Sequence, residues 1–85
     1  MNKLFIGNLP FSTTDDMLRH IFQHAGTVRS AKVITDSATG RSKGFGFVEM
    51  ETAAEAAEAI QRFNGDSYDG RVVTVSECRQ EFRIA

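Results

Sequence analysis

Three phenylalanines recur at alternate positions in two short stretches of the chain, residues 3–7 and 43–50. If both stretches are strands, successive side chains point to opposite faces, and Phe5, Phe45 and Phe47 share a face with lysines. The aliphatic side chains fall on the other face, so the aromatic face is expected to be open to solvent. Aromatic rings and lysines grouped on a sheet can stack unpaired nucleic-acid bases and meet their phosphates.

The balance of charge limits how such a surface would bind. The 85-residue chain has 10 Lys and Arg against 11 Asp and Glu, a formal net charge of −1. This argues against a binder driven mainly by phosphate neutralisation, although local placement matters more than the sum. Lys3, Lys32 and Lys43 are predicted on the aromatic face, with Arg41 in the loop beside it.

The cysteine count and the N-terminal pattern predict the compartment. Cys78 is the one cysteine, so no intramolecular disulfide can form, which is typical of a reducing environment. The apolar start is interrupted by Gly7, Asn8 and Pro10, and no stretch approaches the ~20 apolar residues of a membrane helix. We therefore expect a cytoplasmic protein that does not enter a membrane. A transit segment removed earlier would leave no trace in this sequence.

Two segments have apolar side chains at helical spacing, and a threonine that can cap a helix precedes each. Thr14 predicts one start, and Gly26 predicts its end after about Ala25. Thr52 predicts the other start, because Glu55 completes a capping box. The apolar stripes comprise Leu18, Ile21, Phe22 and Ala25 in the first helix, and Ala53, Ala56, Ala59, Ile60 and Phe63 in the second.

Four strands are predicted around these helices, at residues 3–7, 28–34, 43–50 and 72–77. In the second strand Ala31 and Val33 are expected to point inward, and Val28 lies out of phase with them. A β-bulge near Val28 would bring all three to one face. The polar, glycine-bearing residues 36–42 predict a hairpin loop between the two middle strands.

The order of elements predicts the fold class. Each helix has a single apolar stripe, so both must cover one face of a four-stranded antiparallel sheet. The result is an α+β fold, a ferredoxin-like βαββαβ sandwich. In that topology the first and third strands are neighbours at the centre. Phe5, Phe45 and Phe47 would then lie together on the face without helices.

The residues that carry the aromatic pattern match a known family. The stretch 43–50 resembles the octamer of the RNA recognition motif, K/R-G-F/Y-G/A-F-V-x-F/Y, and departs from it only at Met50. Residues 4–9 resemble the family's companion hexamer. The resemblance implies a single RNA recognition domain over residues 1–78, followed by a short tail at 79–85. The chain is similar to short stand-alone RNA-binding proteins of bacteria, including cyanobacteria, and to the domain found in glycine-rich RNA-binding proteins.

The resemblance implies roles residue by residue. Phe5 and Phe47 match the aromatics that stack two successive bases, Phe45 matches the ring beside the riboses, and Lys43 matches the residue that meets a phosphate. The remaining expected RNA-contacting residues are Lys3, Lys32, Ile34, Arg41, Thr74, Ser76 and Arg79. The implied partner is single-stranded RNA, with single-stranded DNA left open, bound by a monomer that needs no cofactor.

Other uses of these residues carry less weight. Exposed aromatics also mark protein interfaces, so a protein-binding module on the same face remains the alternative. His20 and His24 lie one helical turn apart but off the apolar stripe and without a further ligand, so we expect no metal site. A hydrolase of the acylphosphatase kind would need an arginine in an anion-binding loop. Residues 7–10 contain no basic side chain, so we expect no enzyme.

Overall fold

The computed structural model describes residues 2–78 of the chain. Its elements are β1 (Lys3–Gly7), α1 (Asp15–Phe22), β2 (Val28–Thr35), β3 (Ser42–Met50), α2 (Ala53–Phe63), β4 (Ser67–Tyr68), β5 (Arg71–Val72) and β6 (Thr74–Glu77). The main sheet is antiparallel and has the strand order β2-β3-β1-β6. β1 and β3 are therefore central neighbours, and the predicted α+β sandwich of the ferredoxin-like type is confirmed.

Alternation of burial along the central strands separates the two faces of the sheet. Leu4 and Ile6 of β1 and Val48 and Met50 of β3 are at most 1% exposed and point to the helices. We call this the inner face, and the opposite face, which bears Phe5, the outer face. The buried core also comprises Leu9, Leu18, Phe22, Val28, Val33, Ala56, Ala59, Phe63, Val73 and Val75. Met50, the departure from the family octamer, is thus a packing residue.

The apolar stripes of the helices contact the sheet as predicted, with one exception. Leu18 and Phe22 of α1 and Ala56 and Ala59 of α2 are buried. Ala53 was expected in the stripe of α2 but is exposed. As the first residue of α2, next to the cap, it lies before the part of the helix that packs on the sheet.

Side chains cap both helices as predicted, but α1 is shorter than predicted. Thr14 accepts from the backbone N–H of Met17 at 3.2 Å, and Thr52 forms a reciprocal capping box with Glu55. α1 ends at Phe22 instead of about Ala25, because the following N–H groups bond carbonyls three residues back, not four. The three N···O distances, for His24, Ala25 and Gly26, are 3.0–3.4 Å. Such bonds tighten the chain into turns at a helix end.

The predicted bulge in β2 is present. The register of β2 against β3 shifts between Val28 and Ser30, where the partners are Met50 and Glu49. A second shift, between Val33 and Thr35, was not predicted. The N–H of Val33 instead donates to Asp15 of α1 at 2.7 Å. The first shift lets Val28 join the core, because one extra residue restores its phase with the rest of the strand.

The predicted last strand, residues 72–77, is divided in two. Arg71–Val72 pairs with Ser67–Tyr68 in a separate hairpin, and only Thr74–Glu77 joins the main sheet. Val73 causes the division, because its N–H donates to Asp66 at 2.8 Å and its carbonyl accepts from Gly65 at 2.9 Å, which directs its backbone away from β1. In the part of the chain described, neither helix is long and apolar enough to cross a membrane.

Candidate nucleic-acid interface

Three phenylalanine rings form a continuous surface on the outer face. The register of the central strands sets Phe5 opposite Phe47 and Gly7 opposite Phe45. The ring centroids lie 5.7 Å apart for Phe5–Phe45, 5.8 Å for Phe5–Phe47 and 6.2 Å for Phe45–Phe47. Each ring remains partly exposed, since the rings shelter one another but no helix covers them. We call Phe5, Phe45 and Phe47 the aromatic triad.

Glycines around the aromatic triad make room for its rings. A Cβ atom at Gly7 would lie 3.0 Å from Cε2 of Phe5 and 2.9 Å from Oγ1 of Thr74. The absent side chain therefore lets the Phe5 ring lie along β1 towards the edge of the sheet. Gly46 faces inward between Phe45 and Phe47, where a Cβ would meet the backbone of β2. These contacts explain why the two aromatic stretches contain glycine at these positions.

Lysines surround the aromatic triad without acidic partners. The ammonium of Lys3 lies 5.5 Å from the centroid of the Phe47 ring, within cation–π distance. Lys32 pairs with Phe47 across the strands, and Lys32 and Lys43 are exposed. Among residues 2–78, the side-chain ion pairs within 4.0 Å are Arg29–Glu51 and Arg62–Glu58, so none of these lysines forms one, although Glu49 lies opposite Lys3 on the neighbouring strand.

The other predicted contact residues line the borders of this surface. Ser76 lies opposite Phe5 and Thr74 opposite Gly7, both exposed on β6, while Ile34 is partly buried on β2. Arg41 is exposed in the β2–β3 loop. That loop is organised by Asp36, whose Oδ1 accepts from the backbone of Ala38 and Thr39 at 2.8 and 3.2 Å. Arg79 lies outside the described residues.

Two residues near this surface, Phe11 and Arg71, were not predicted from the sequence to take part in binding. Phe11, in the β1–α1 loop, is 64% exposed, and the guanidinium carbon of Arg71 lies 5.1 Å from its ring centroid. They are 60 positions apart in the chain and belong to no periodic pattern, so no sequence signal connected them. The rings of His20 and His24 lie near each other, with centroids 5.7 Å apart. Within residues 2–78, no three potential metal-ligating side chains cluster.

Curated relatives share about half of their matched residues with this chain. A 29 kDa ribonucleoprotein B of Nicotiana sylvestris, a chloroplast protein, is 51% identical over 74 residues, which are 87% of this chain and 25% of the relative. A 29 kDa chloroplast ribonucleoprotein of Arabidopsis thaliana is 50% identical over 74 residues, 87% of this chain and 22% of the relative. The chain thus spans about a quarter of the length of the curated relatives it matches.

These relatives contradict the predicted cytoplasmic location. Both are chloroplast proteins, so the expectation drawn from Cys78 and the interrupted apolar start is wrong. The reason is physical: one cysteine excludes an intramolecular disulfide, but it does not distinguish among compartments that keep thiols reduced. The sequence of a folded domain need not contain the targeting signal of the protein to which it belongs.

Solved structures and a family model agree on the fold. The crystal structure of RNA Binding Protein PG1 has a TM-score of 0.88 and 41% identity, and the match covers 92% of this chain and 94% of that one. A Sxl-lethal protein–RNA complex has a TM-score of 0.88 and 29% identity over 93% of this chain and 48% of that one. The model of the RNA recognition motif matches residues 4–74. This chain belongs to the RNA recognition motif family.

Proposed function

We propose that this chain binds single-stranded RNA by stacking bases on the aromatic triad. The single observation that carries the proposal is the set of three neighbouring rings on a sheet face that neither helix covers. Such rings accept the flat faces of bases that are not paired with a second strand. Two to four nucleotides would lie across the sheet, bound with little dependence on sequence.

Each contact residue has a proposed role. Phe5 and Phe47 stack successive bases, Phe45 lies beside the riboses, and Lys43 meets a phosphate. Exposed or partly exposed side chains at the borders of the triad hold the backbone and the base edges. This group comprises Lys3, Lys32, Ile34, Arg41, Thr74 and Ser76. Arg79, outside the described residues, is proposed to contact RNA just beyond β6.

Membership of the RNA recognition motif family supports a binding role in place of catalysis. The curated relatives are ribonucleoproteins, and one structural neighbour is a protein–RNA complex. We propose that the chain acts as a monomer, that residues 1–78 form the binding domain, and that single-stranded DNA binds comparably. The last point follows because no contact proposed here depends on a 2′-hydroxyl group.

Removal of one ring tests the proposal. Each base–aromatic stack is worth roughly 1–3 kcal/mol, and a few stacks less the cost of ordering give a dissociation constant around micromolar. Phe47→Ala is expected to weaken binding of short random-sequence RNA at least several-fold, measured by fluorescence anisotropy. Phe5→Ala should act similarly, and amide shifts in an NMR titration should map to β1 and β3.

A matched control separates stacking from general loss of surface. Met17 is 46% exposed on α1, away from the outer face, so Met17→Ala should bind RNA as the wild type does. Circular dichroism and chemical denaturation should show that all three variants fold. If folded Phe47→Ala and Phe5→Ala bind RNA with wild-type affinity, the aromatic triad is not the binding surface. A triad that responds to a protein partner but never to RNA would favour the protein-binding alternative.

A further inference from the structure

Phe11 is the most exposed large hydrophobic side chain among residues 2–78, and it lies near the start of β3, at one end of the sheet. The β1–α1 loop is attached to β3 by a hydrogen bond from the N–H of Leu9 to the carbonyl of Gly44 at 2.8 Å. Cε1 of Phe11 lies 3.2 Å from the position that a Cβ of Gly44 would occupy. Gly44 is buried and faces inward, next to Phe45 on β3, so Phe11 lies on the helix side of the sheet end at which the triad begins.

A hydrogen bond to Asn8, and no carboxylate, holds Arg71 beside the Phe11 ring. Its Nη2 donates to Oδ1 of Asn8 at 2.8 Å, and Nδ2 of Asn8 donates to the carbonyl of Val72 at 2.7 Å. Asn8 thereby joins the end of β1 to the β4–β5 hairpin. Nε of Arg71 is buried and has no hydrogen-bond partner among the described residues. The guanidinium of Arg71 beside the Phe11 ring therefore has no acidic partner and an unpaired N–H among the described residues.

A second cation, Arg41, lines a cleft together with the same ring. Phe11, Gly40, Arg41 and Ser42 line a cleft of about 450 Å³ that opens to solvent. Neither Arg41 nor Arg71 takes part in an ion pair within residues 2–78. Asp15 and Asp16 line a separate cleft with Phe11. An exposed ring with one guanidinium group 5.1 Å from its centroid and a second in the adjoining cleft suits a ligand that is both flat and anionic. A nucleotide is such a ligand, because its base stacks and its phosphate accepts from arginine.

We propose that this edge is a further nucleotide subsite, at which an RNA strand leaving the aromatic triad stacks one more base on Phe11. Arg71 and Arg41 contact the phosphates on either side of that base. The subsite rests on the proposed RNA binding and extends it from the sheet face over the edge where the β1–α1 and β2–β3 loops meet. Its consequence is that a longer strand gains affinity through a residue that a shorter strand never reaches.

The dependence of affinity on RNA length distinguishes binding at the Phe11 subsite from binding on the sheet face. Wild type, Phe11→Ala and Phe47→Ala are titrated with random-sequence RNA tetranucleotides and octanucleotides, and binding is followed by fluorescence anisotropy. Phe11→Ala is expected to lose about fivefold or more in affinity for the octanucleotide, the lower end of one base–aromatic stack, and nothing for the tetranucleotide. Phe47→Ala is expected to lose affinity for both.

Further variants identify the chemistry at Phe11. Phe11→Tyr keeps the aromatic face and should bind the octanucleotide like the wild type, whereas Phe11→Leu keeps apolar bulk and should behave like Phe11→Ala. Met17→Ala, a truncation of another exposed apolar side chain, on α1, should change neither titration. In an NMR titration of the wild type, the Nε–H signal of Arg71 should shift with the octanucleotide only.

The outcomes separate this subsite from the function on which it rests. Wild-type affinity of Phe11→Ala for the octanucleotide, or an equal loss for both lengths, would overturn the subsite while leaving the triad intact. If Phe11→Ala loses affinity for the octanucleotide only and Phe47→Ala binds like the wild type, stacking on Phe11 is supported and stacking on the aromatic triad is overturned. A wild type that binds neither RNA would overturn both.

Discussion

Gly46 shows how a residue without a side chain shapes the aromatic triad. It faces the core between Phe45 and Phe47, and a Cβ there would lie 2.5 Å from the carbonyl oxygen of Lys32 and 3.3 Å from Cδ2 of Leu18. The strand bearing two rings can therefore approach β2 and α1 closely only if this position is empty. The spacing of the rings on one face depends on a glycine on the other.

Gly46→Ala is expected to destabilise the fold by about 1–3 kcal/mol, the usual cost of forcing an extra methyl group into a packed core. Backbone cannot yield as a flexible side chain would, and the contact at Lys32 is backbone. Urea denaturation followed by circular dichroism measures the change. Gly40→Ala is the control for backbone conformation alone, since its φ is +76° but no atom lies within 4 Å of the added Cβ. A Gly46→Ala protein as stable as the wild type would contradict this account.

At the scale of the element, α2 supports the sheet from behind and is fixed at its N-terminus. Oγ1 of Thr52 accepts from Glu55 N at 3.1 Å, and Oε1 of Glu55 accepts from Thr52 N at 3.2 Å. Oε2 of Glu55 also accepts from the N–H of Thr27 at 3.3 Å, just before β2. One carboxylate therefore closes the helix and ties it to the sheet on the side away from the aromatic triad.

Thr52→Ala is expected to cost about 1 kcal/mol of folding stability, the typical loss when a helix cap is truncated. RNA affinity should be unchanged, since α2 packs on the inner face. Chemical denaturation and RNA titration of the same variant measure the two quantities. Thr52→Ser keeps the hydroxyl and should remain near wild-type stability. A marked loss of RNA affinity in folded Thr52→Ala would contradict this account and would mean that the cap of α2 affects RNA binding on the outer face.

The β4–β5 hairpin was not predicted from the sequence. Its two-residue turn, Asp69–Gly70, has φ values of 51° and 80°, which is the twist that a tight hairpin needs. Burial raises the pKa of Tyr68 above its ordinary value, and the nearby carboxylate of Asp66 adds to the shift. The phenol therefore remains neutral at physiological pH. The hairpin matters for the site because it presents Arg71 to Phe11.

At the scale of the whole molecule, charge is divided between the two sides. Within residues 2–78 the lysines of the outer face form no ion pair within 4.0 Å, with Glu49 as the acidic residue opposite Lys3, whereas Glu58 and Arg62 pair on α2 at 3.8 Å. With a net charge of −1, the molecule as a whole does not attract phosphates. Attraction must come from a few local cations, and a shallow dependence of affinity on salt is the expected signature.

Lys43→Ala is expected to reduce the slope of log affinity against log salt by about 0.7, the contribution of one phosphate contact in single-stranded nucleic acid. RNA titrations at several salt concentrations measure the slope. Arg62→Ala removes the same charge from the helical side and should leave the slope unchanged. Equal slopes for wild type and Lys43→Ala would remove the proposed phosphate contact.

Sequence patterns by themselves determined the order of the two helices and the four strands of the main sheet, the two caps, the bulge near Val28 and the grouping of Phe5, Phe45 and Phe47. These features depend on the alternation of strands, the periodicity of helices and local hydrogen bonds, which act over a few residues. Only the tertiary structure decided where α1 ends, why Val73 interrupts the last strand, and that Arg71 lies over Phe11. The first two depend on backbone hydrogen bonds that span three to eight residues and that no side-chain pattern records. The third joins residues 60 positions apart, whose contact exists only once the sheet has formed.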